Sequence, residues 1–195
     1  MTVVATLGTN AELYRSLQEE NGLPGDANLT GQELQELDEM LAAYLGGDAA
    51  ALDNSPFQPH EQAHMRDVFA LFSRLRTLRN LFLPASLVLL AVGAWMTRLW
   101  RFTGACLTGL GVFVLPLIAF GVWAAADFSG AFNFFHRLLF DNLLWQLDPA
   151  KDLLLQICPE RFFSDFAAVL AVRVGLYILA VPLAVCGIRI GRKFT

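Results

Sequence analysis

Two of the three histidines in this 195-residue chain lie among acidic residues, where they are candidates for proton transfer. His64 is followed three residues later by Asp67, on the same face of a helix, so the carboxylate can orient the imidazole or raise its basicity. His136 lies in a second segment, from Phe132 to Phe163, that mixes many Phe and Leu residues with polar side chains. Two such histidines can take up and return a proton in general acid–base catalysis.

Other polar side chains in the apolar half of the chain are candidates for supporting the two histidines. Asp148 also has a structural explanation, as the cap of a helix that begins at Pro149 and holds Asp152 in its first turn. Arg173 lies inside an apolar run, where a charge is costly and marks either a functional site or an ion pair. The candidate supporting residues are Asp67, Asn142, Asp148, Asp152, Glu160 and Arg173.

The motif His60-Glu-Gln-Ala-His64 suggests a different chemistry. On a helix, two histidines four residues apart can bind Zn²⁺ while the glutamate acts as a general base. His136, Asp152 or Glu160 is a possible third ligand, and no spacing selects one of them. A membrane zinc hydrolase is therefore one alternative, which chelation and replacement of His60 would test.

The composition indicates an integral membrane protein. Hydrophobic residues make up 55% of the chain and the mean hydropathy is +0.48, values that are high for a soluble domain. Three apolar runs can span a bilayer: 102–126 and 166–188 are long enough, and 81–97 is short and interrupted by Pro84. Cys106, Cys158 and Cys186 give no disulfide framework.

Basic residues predict how these spans are oriented. Lys and Arg are enriched on the cytoplasmic side of a membrane, and two sites in the chain carry them without a neighbouring acid. These sites are the connection after the first span, with Arg98 and Arg101, and the region after the third, with Arg189, Arg192 and Lys193. Although Arg74, Arg76 and Arg79 favour the opposite orientation, we place residues 1–80 and 128–165 on the outer face.

The predicted fold is all-α, a polytopic membrane helix bundle with a small helical extracytoplasmic cap. We expect the cap over 1–80 and membrane helices over 81–195, with an interfacial segment at 128–165 that is amphipathic or re-entrant. Because no export signal precedes the acidic cap, we expect a further span upstream and four spans in the complete protein. Insertion of a complete chain with its N-terminus outside is the alternative.

Local patterns predict individual helices in both regions. In the cap we expect helices over 11–21, from Thr30 to about Gly46, and from about Glu61 into the first span. Thr30 and Glu33 have the spacing of a capping box. In the interfacial segment an amphipathic helix is predicted over 132–147, stopped by Asp148 and Pro149.

Two longer motifs resemble those of a known family. The run His64-Met-Arg-Asp-Val-Phe-Ala-Leu-Phe72 is similar to one motif of the lipoprotein intramolecular transacylase (Lit) family. Phe135-His-Arg-Leu-Leu-Phe140, Asn142-x-x-Trp-x-Leu-Asp-Pro-x-x-Asp152 and Pro159-Glu-Arg-Phe-Phe163 are similar to its second. The resemblance extends from about Tyr14 to Arg189, and family members begin with a membrane span, which we expect upstream of Met1.

The resemblance implies a bacterial enzyme of the cytoplasmic membrane, multi-pass, with its site on the extracytoplasmic face. Such an enzyme moves the sn-2 acyl chain of a diacylglyceryl-cysteine lipoprotein onto the α-amino group of the same cysteine. His64 and His136 match the two functional histidines of the family, whereas His60 and Glu61 stand outside its motif. The implied partners are lipoproteins and membrane lipid, without a cofactor, a metal or nucleic acid, and we expect a monomer.

The expected mechanism divides the work between the two histidines. One removes a proton from the α-amino group and returns it to the leaving glycerol oxygen, and the other serves the oxyanion or relays the proton. We favour His136 as the acid and base and His64 as the second histidine, although the opposite assignment stays open at this point. The acyl chains are expected to lie against Phe134, Phe135, Phe140 and Trp145. A non-enzymatic membrane interaction protein is the second alternative, and His136→Ala would separate it from an enzyme.

Overall fold

A computed structural model describes residues 2–22, 29–96 and 99–191, and these residues form helices and connections without a strand. The all-α prediction is therefore confirmed for this part of the chain. The helices, in chain order, are α1 (Thr2–Gly8), α2 (Ala11–Glu20), α3 (Gly31–Gly46), α4 (Pro59–Met96), α5 (Leu99–Ala126), α6 (Phe128–Leu139), α7 (Leu153–Ile157) and α8 (Glu160–Gly191), with a 3-10 turn over Ala49–Leu52.

Local sequence signals define the ends of α3. The amide of Glu33 donates to Thr30 Oγ1 at 3.3 Å, and the amide of Thr30 donates to the Glu33 carboxylate at 2.8 Å. After the last turn, Gly47 adopts a φ of 123°, a conformation that favours glycine. The predicted capping box is confirmed, and so are the helices expected over 11–21 and from Glu61 onward.

Contacts divide the chain into two units. The first contains residues 1–79 and 132–170, and the second contains 80–131 and 171–195. Residues 132–165 of the predicted interfacial segment thus share a unit with the N-terminal region. The predicted boundary between a cap and membrane helices stays a prediction.

The first unit has an apolar core of its own. The apolar stripe of α3 is buried as its spacing predicts, and α7 and the start of α8 pack against the same core. Tyr14 and Phe162 meet edge to face, with ring centroids 5.7 Å apart. Removal of this apolar surface from water is the main stabilising contribution. The core includes Leu17, Leu34, Leu41, Phe57, Met65, Ile157 and Phe162.

The second unit contains α5 with the later part of α4 and of α8. Many of its described apolar side chains are exposed, among them Leu87, Leu89, Val112, Leu115 and Val122. In the part of the chain that the structure describes, no helix meets the length and hydropathy needed to cross a membrane. The number of spans stays a prediction. Four residues used for that prediction, Thr97, Arg98, Arg192 and Lys193, lie outside the described residues.

The segment after α6 differs from its prediction. α6 ends at Leu139 and residues 140–148 are irregular, so the prediction of one helix over 132–147 is wrong. The reason is Asn142, whose Oδ1 accepts the amide of Leu144 at 3.0 Å and stabilises a turn in place of a helix.

The helix predicted from Pro149 is also not formed. Asp148 Oδ1 accepts the amide of Ala150 at 2.9 Å, which makes a turn, and α7 begins only at Leu153. Asp152 precedes α7, but its side chain makes no capping hydrogen bond to that helix. One of its oxygens instead accepts the amide of Asp148 at 2.7 Å, which closes the turn.

Candidate active site

His136 lies in the last turn of α6 and is buried, with 8% of its surface exposed. Its Nδ1 is 2.8 Å from the carbonyl oxygen of Phe132, one turn earlier. Because a carbonyl oxygen only accepts hydrogen bonds, Nδ1 carries the hydrogen and the lone pair of the neutral ring is on Nε2. The helix therefore determines the tautomer and makes Nε2 the basic atom.

Aromatic rings surround His136. The ring of Phe132 is 4.1 Å away between centroids, and the indole of Trp145 stacks on the imidazole at 5.0 Å and 29°. Trp145 is held in turn by its Nε1, which donates to the carbonyl oxygen of Asn142 at 3.0 Å. Burial in these surroundings lowers the pKa of His136, because the imidazolium loses its hydration.

His64, on α4, is the second histidine of the site. The centroids of the two imidazoles are 6.1 Å apart, and Phe140 lies edge-on to His64 at 5.4 Å. Burial lowers the pKa of His64 to about 4; His136 adds to this effect and Asp67 opposes it. In the described part of the chain, His64 Nδ1 is buried without a hydrogen-bond partner. The pair is therefore neutral at pH 7 and retains hydrogen-bonding capacity for a ligand.

The two histidines line a cavity of about 580 Å³ in the first unit. This volume falls within the usual range for sites that bind small molecules. Most of the lining is aromatic or aliphatic, and the polar exceptions include Asn133, Gln146, Glu160 and Arg161. Residues 145–155, called the wall segment here, contribute Trp145, Gln146, Leu147, Pro149, Leu154 and Leu155.

The predicted substrate-lining residues have three different positions. Trp145 lies in the cavity wall, and Phe140 contacts both imidazoles without lining the cavity. Phe135 is exposed and touches His136 only edge-on at 5.6 Å, and Phe134 is exposed as well. Phe132 and Phe163 line the cavity instead, with ring centroids 5.6 Å apart.

Asp67 and Asn142 come together beside the histidine pair. Asn142 Nδ2 donates to Asp67 Oδ2 at 2.8 Å, although the two residues are 75 positions apart in the sequence. This hydrogen bond joins α4 to the segment that holds Trp145. Both residues were predicted to support the site, and the structure gives them this connection.

Asp148 and Asp152 have other partners than the histidine pair. Asp148 forms an exposed ion pair with Lys151 at 3.0 Å, and its pKa is lowered chiefly by the amide of Ala150. Asp152 is buried, and its Oδ1 lies 2.8 Å from Nε2 of His60. Asp152 therefore orients His60 rather than either histidine of the cavity.

Glu160 and Arg173 belong to different units. Glu160, the first residue of α8, lines the cavity, and Arg161 beside it was not predicted. Arg173 is exposed on α8 within the second unit, so its predicted role stays a prediction.

The glutamate of the His60–His64 motif is bound to backbone amides. Glu61 is fully buried, and its two oxygens accept the amides of Gln58 and Leu154 at 2.6 Å each. Within residues 2–22, 29–96 and 99–191, no three His, Cys, Asp or Glu side chains are placed to hold a metal ion together. Pro59 and Glu61 at the first and third positions of a helix are the sequence signal that predicts this capping role.

Comparison with known proteins gives two matches. The family model for the lipoprotein intramolecular transacylase Lit matches residues 1–163. The in meso structure of the membrane integral lipoprotein intramolecular transacylase Lit from Bacillus cereus has a TM-score of 0.77 at 22% identity, and the match covers 98% of this chain and 89% of that chain. At this identity the likeness shows the fold. Among curated proteins, none matches.

Proposed function

Since this chain belongs to the lipoprotein intramolecular transacylase family Lit, and is therefore an acyltransferase, we propose that it moves the sn-2 acyl chain of a diacylglyceryl-cysteine lipoprotein onto the α-amino group of that cysteine. The product carries one acyl chain on nitrogen and one on glycerol. Family membership gives no support to the zinc hydrolase or to a non-enzymatic interaction protein.

The observation that carries this mechanism is the orientation of His136. Its Nδ1–H is bound to the carbonyl of Phe132, so Nε2 is the basic atom of the buried ring. The α-ammonium group, with a pKa of about 8, first releases one proton to water, and the neutral amine then loses a second proton as its nitrogen attacks the ester carbonyl. Nε2 of His136 takes that proton as the N–C bond forms. The same atom returns it to the glycerol oxygen when the C–O bond breaks, so no proton is left over.

His64 is assigned to the charge that develops on the ester oxygen. Its ring faces His136 at 6.1 Å, and its low pKa keeps it neutral, with one N–H to donate. A donor already placed in an apolar site stabilises an oxyanion more than water does, since it needs no reorganisation. We therefore give His136 the base and acid roles and His64 the role of donor.

The apolar lining of the cavity supports transfer over hydrolysis. Both reacting groups belong to one substrate, so the site has to hold them close together and exclude water. Phe132, Trp145 and Phe163 provide apolar surface next to the histidines, suited to acyl chains. Asn133, Gln146, Glu160 and Arg161 provide the polar contacts that a peptide and a glyceryl group require.

The outer side of α6 supports a site close to lipid. Phe134, Phe135 and Leu138 are exposed on this helix, and Leu143 is exposed just after it. Amphipathic helices of this kind lie at membrane surfaces with the apolar side in the lipid. We place the enzyme in the bacterial cytoplasmic membrane as a multi-pass monomer, with the cavity on the extracytoplasmic face.

Tandem mass spectrometry of a lipoprotein N-terminus tests the proposal. Since transfer within one molecule leaves the mass unchanged, the fragment that contains the cysteine must show an acyl chain on nitrogen. We expect this fragment from cells that express the protein or Arg137→Ala, an exposed neighbour, and not from cells that express His136→Ala. A free amine with both chains on glycerol in the presence of the unaltered protein would refute it.

A further inference from the structure

The first turn of α4 is bound to the wall segment by side chains that the mechanism does not use. The wall segment lines one side of the cavity with Trp145, Pro149, Leu154 and Leu155. The contacts, called here the α4–α7 bridge, are Gln58 Nε2 to Lys151 O at 3.1 Å, His60 Nε2 to Asp152 Oδ1 at 2.8 Å, and Leu154 N to Glu61 Oε1 at 2.6 Å.

Glu61 is the buried centre of the α4–α7 bridge. One carboxylate oxygen accepts the amide of Gln58 at the start of α4, and the other accepts the amide of Leu154 at the start of α7. A buried carboxylate is costly unless its oxygens are bound, and charge-assisted hydrogen bonds to amides are stronger than neutral ones. Glu61 therefore holds the starts of two helices at a fixed separation.

Asp152 completes the α4–α7 bridge from the other side. Its Oδ1 is bound to His60, and its Oδ2 accepts the amide of Asp148 at the start of the turn that leads into α7. The side chain of Asp152 is 5% exposed, whereas that of His60 is 44% exposed. His60 is thus the accessible end of a contact whose other end is inside the protein.

The same helix carries both this bridge and a histidine of the site. His64 is one turn beyond His60 and lines the cavity together with Leu154 and Leu155. We propose that His60 and Glu61 are positioning residues, which set the distance between His64 and the wall segment and thereby the fit of the acyl chain. This proposal rests on the proposed function, since it takes the cavity as the substrate site.

Kinetics of His60→Ala tests the proposal in the full-length protein. Loss of one hydrogen bond from a partly exposed pair should loosen the wall segment and raise KM about three- to tenfold, with kcat within about twofold. His60→Gln should restore most of the affinity, because its amide can donate to Asp152 in place of the imidazole. Gln62→Ala is the matched control: Gln62 lies in the same first turn of α4 and donates to Phe57 O at 2.9 Å, a contact outside the α4–α7 bridge, and neither residue lines the cavity.

Hydrogen exchange separates this proposal from the proposed function. Amides of residues 148–157 should exchange about three- to tenfold faster in His60→Ala than in the unaltered protein, and Gln62→Ala should leave them unchanged. The same amides should exchange faster still in Glu61→Gln, because this variant retains one acceptor oxygen for two amides. Unchanged exchange in His60→Ala, or a lower kcat at constant KM, would overturn the proposal. Activity in His136→Ala would instead refute the proposed function and leave the exchange result valid.

Discussion

Two of the polar clusters that the first unit buries differ in what surrounds them. One is the His64–His136 pair. The other, the core cluster, consists of Gln18 and Asp38, which are fully buried. Gln18 Nε2 donates to Asp38 Oδ1 at 2.9 Å and to the carbonyl of Ile157 at 3.1 Å. Each cluster contains at least one buried polar atom without a hydrogen-bond partner in the described residues.

A shifted pKa alone would mark both clusters as functional sites. Burial lowers the pKa of His64 to about 4 and raises the pKa of Asp38 to about 6. The two histidines line the cavity and His136 has a defined tautomer, whereas neither Gln18 nor Asp38 lines that cavity. Asp38 lies inside the packed core with α2 and α7, so its shift reflects the cost of burial. The cavity, rather than the shift, distinguishes a site from a structural cluster.

The largest expected effect is a loss of activity, which we expect from a change in the histidine pair and not from one in the core cluster. His136→Ala should lower kcat by about 10²- to 10⁴-fold, because the proton acceptor is lost. The variant should stay folded, with a melting temperature lowered only by the loss of one buried ring stacked on Trp145. Rates from tandem mass spectrometry and melting curves in detergent measure the two quantities. A variant that loses activity only because it unfolds would show that the histidine belongs to the core.

The histidine pair should also make the fold sensitive to acid. In the folded state the pKa of His64 is about 4 against an ordinary value of 6.5, so the folded protein binds fewer protons than the unfolded chain. The contribution of His64 to the free energy of unfolding is then fully present above pH 6.5, and up to about 3 kcal/mol of it is lost as the pH drops to 4. His64→Gln should reduce this loss. Thermal midpoints between pH 4 and 7 measure it, and identical slopes for both proteins would contradict the shift.

The core cluster should have the opposite dependence on pH. The pKa of Asp38 rises from its ordinary value of 3.8 to about 6, so its contribution is present at low pH and is lost as the pH rises through 6. Asp38→Asn should therefore stabilise the protein by up to about 3 kcal/mol at pH 8 and by little at pH 4. Activity should not change. The exposed Asp53→Asn is the control, and a loss of activity in Asp38→Asn alone would connect the core cluster to the site.

The smallest expected effect concerns the connection between Asp67 and Asn142. Asn142→Ala removes the hydrogen bond to α4 and frees the segment that holds Trp145 against His136, which should lower kcat about three- to tenfold. Asp67→Ala should have a similar effect, and the double variant should be no worse than either single variant. Additive effects would show that the two residues act separately. Asn54→Ala, in an exposed turn, is the control for both.

The sequence predicts the parts of the molecule that depend on neighbouring residues. The capping box at Thr30 and the helix that runs from it to about Gly46 are read from local signals, and the structure confirms both. Asp67 lies one turn from His64 on the same helix, so its nearness to the site is predictable as well.

Contacts between distant residues could not be predicted in this way. His60 and Asp152 are 92 positions apart, and Gln18 lies 139 positions from Ile157. Nothing in either local sequence selects its partner, because packing of the helices brings the two together. Asn142 and Asp148 form turns through local side-chain hydrogen bonds to the amides of Leu144 and Ala150, where the apolar spacing around them predicts a helix.

Glu61 and Leu154 are 93 positions apart, so the hydrogen bond between them forms only after most of the chain has been synthesised. Until then one oxygen of the carboxylate has no amide to bind and needs water. The first turn of α4 therefore remains hydrated during synthesis, and the cavity closes on one side only when α7 joins it. The protein therefore becomes able to catalyse only late in its synthesis. A nascent chain that carries His64 and His136 still lacks the wall segment against which an acyl chain would lie.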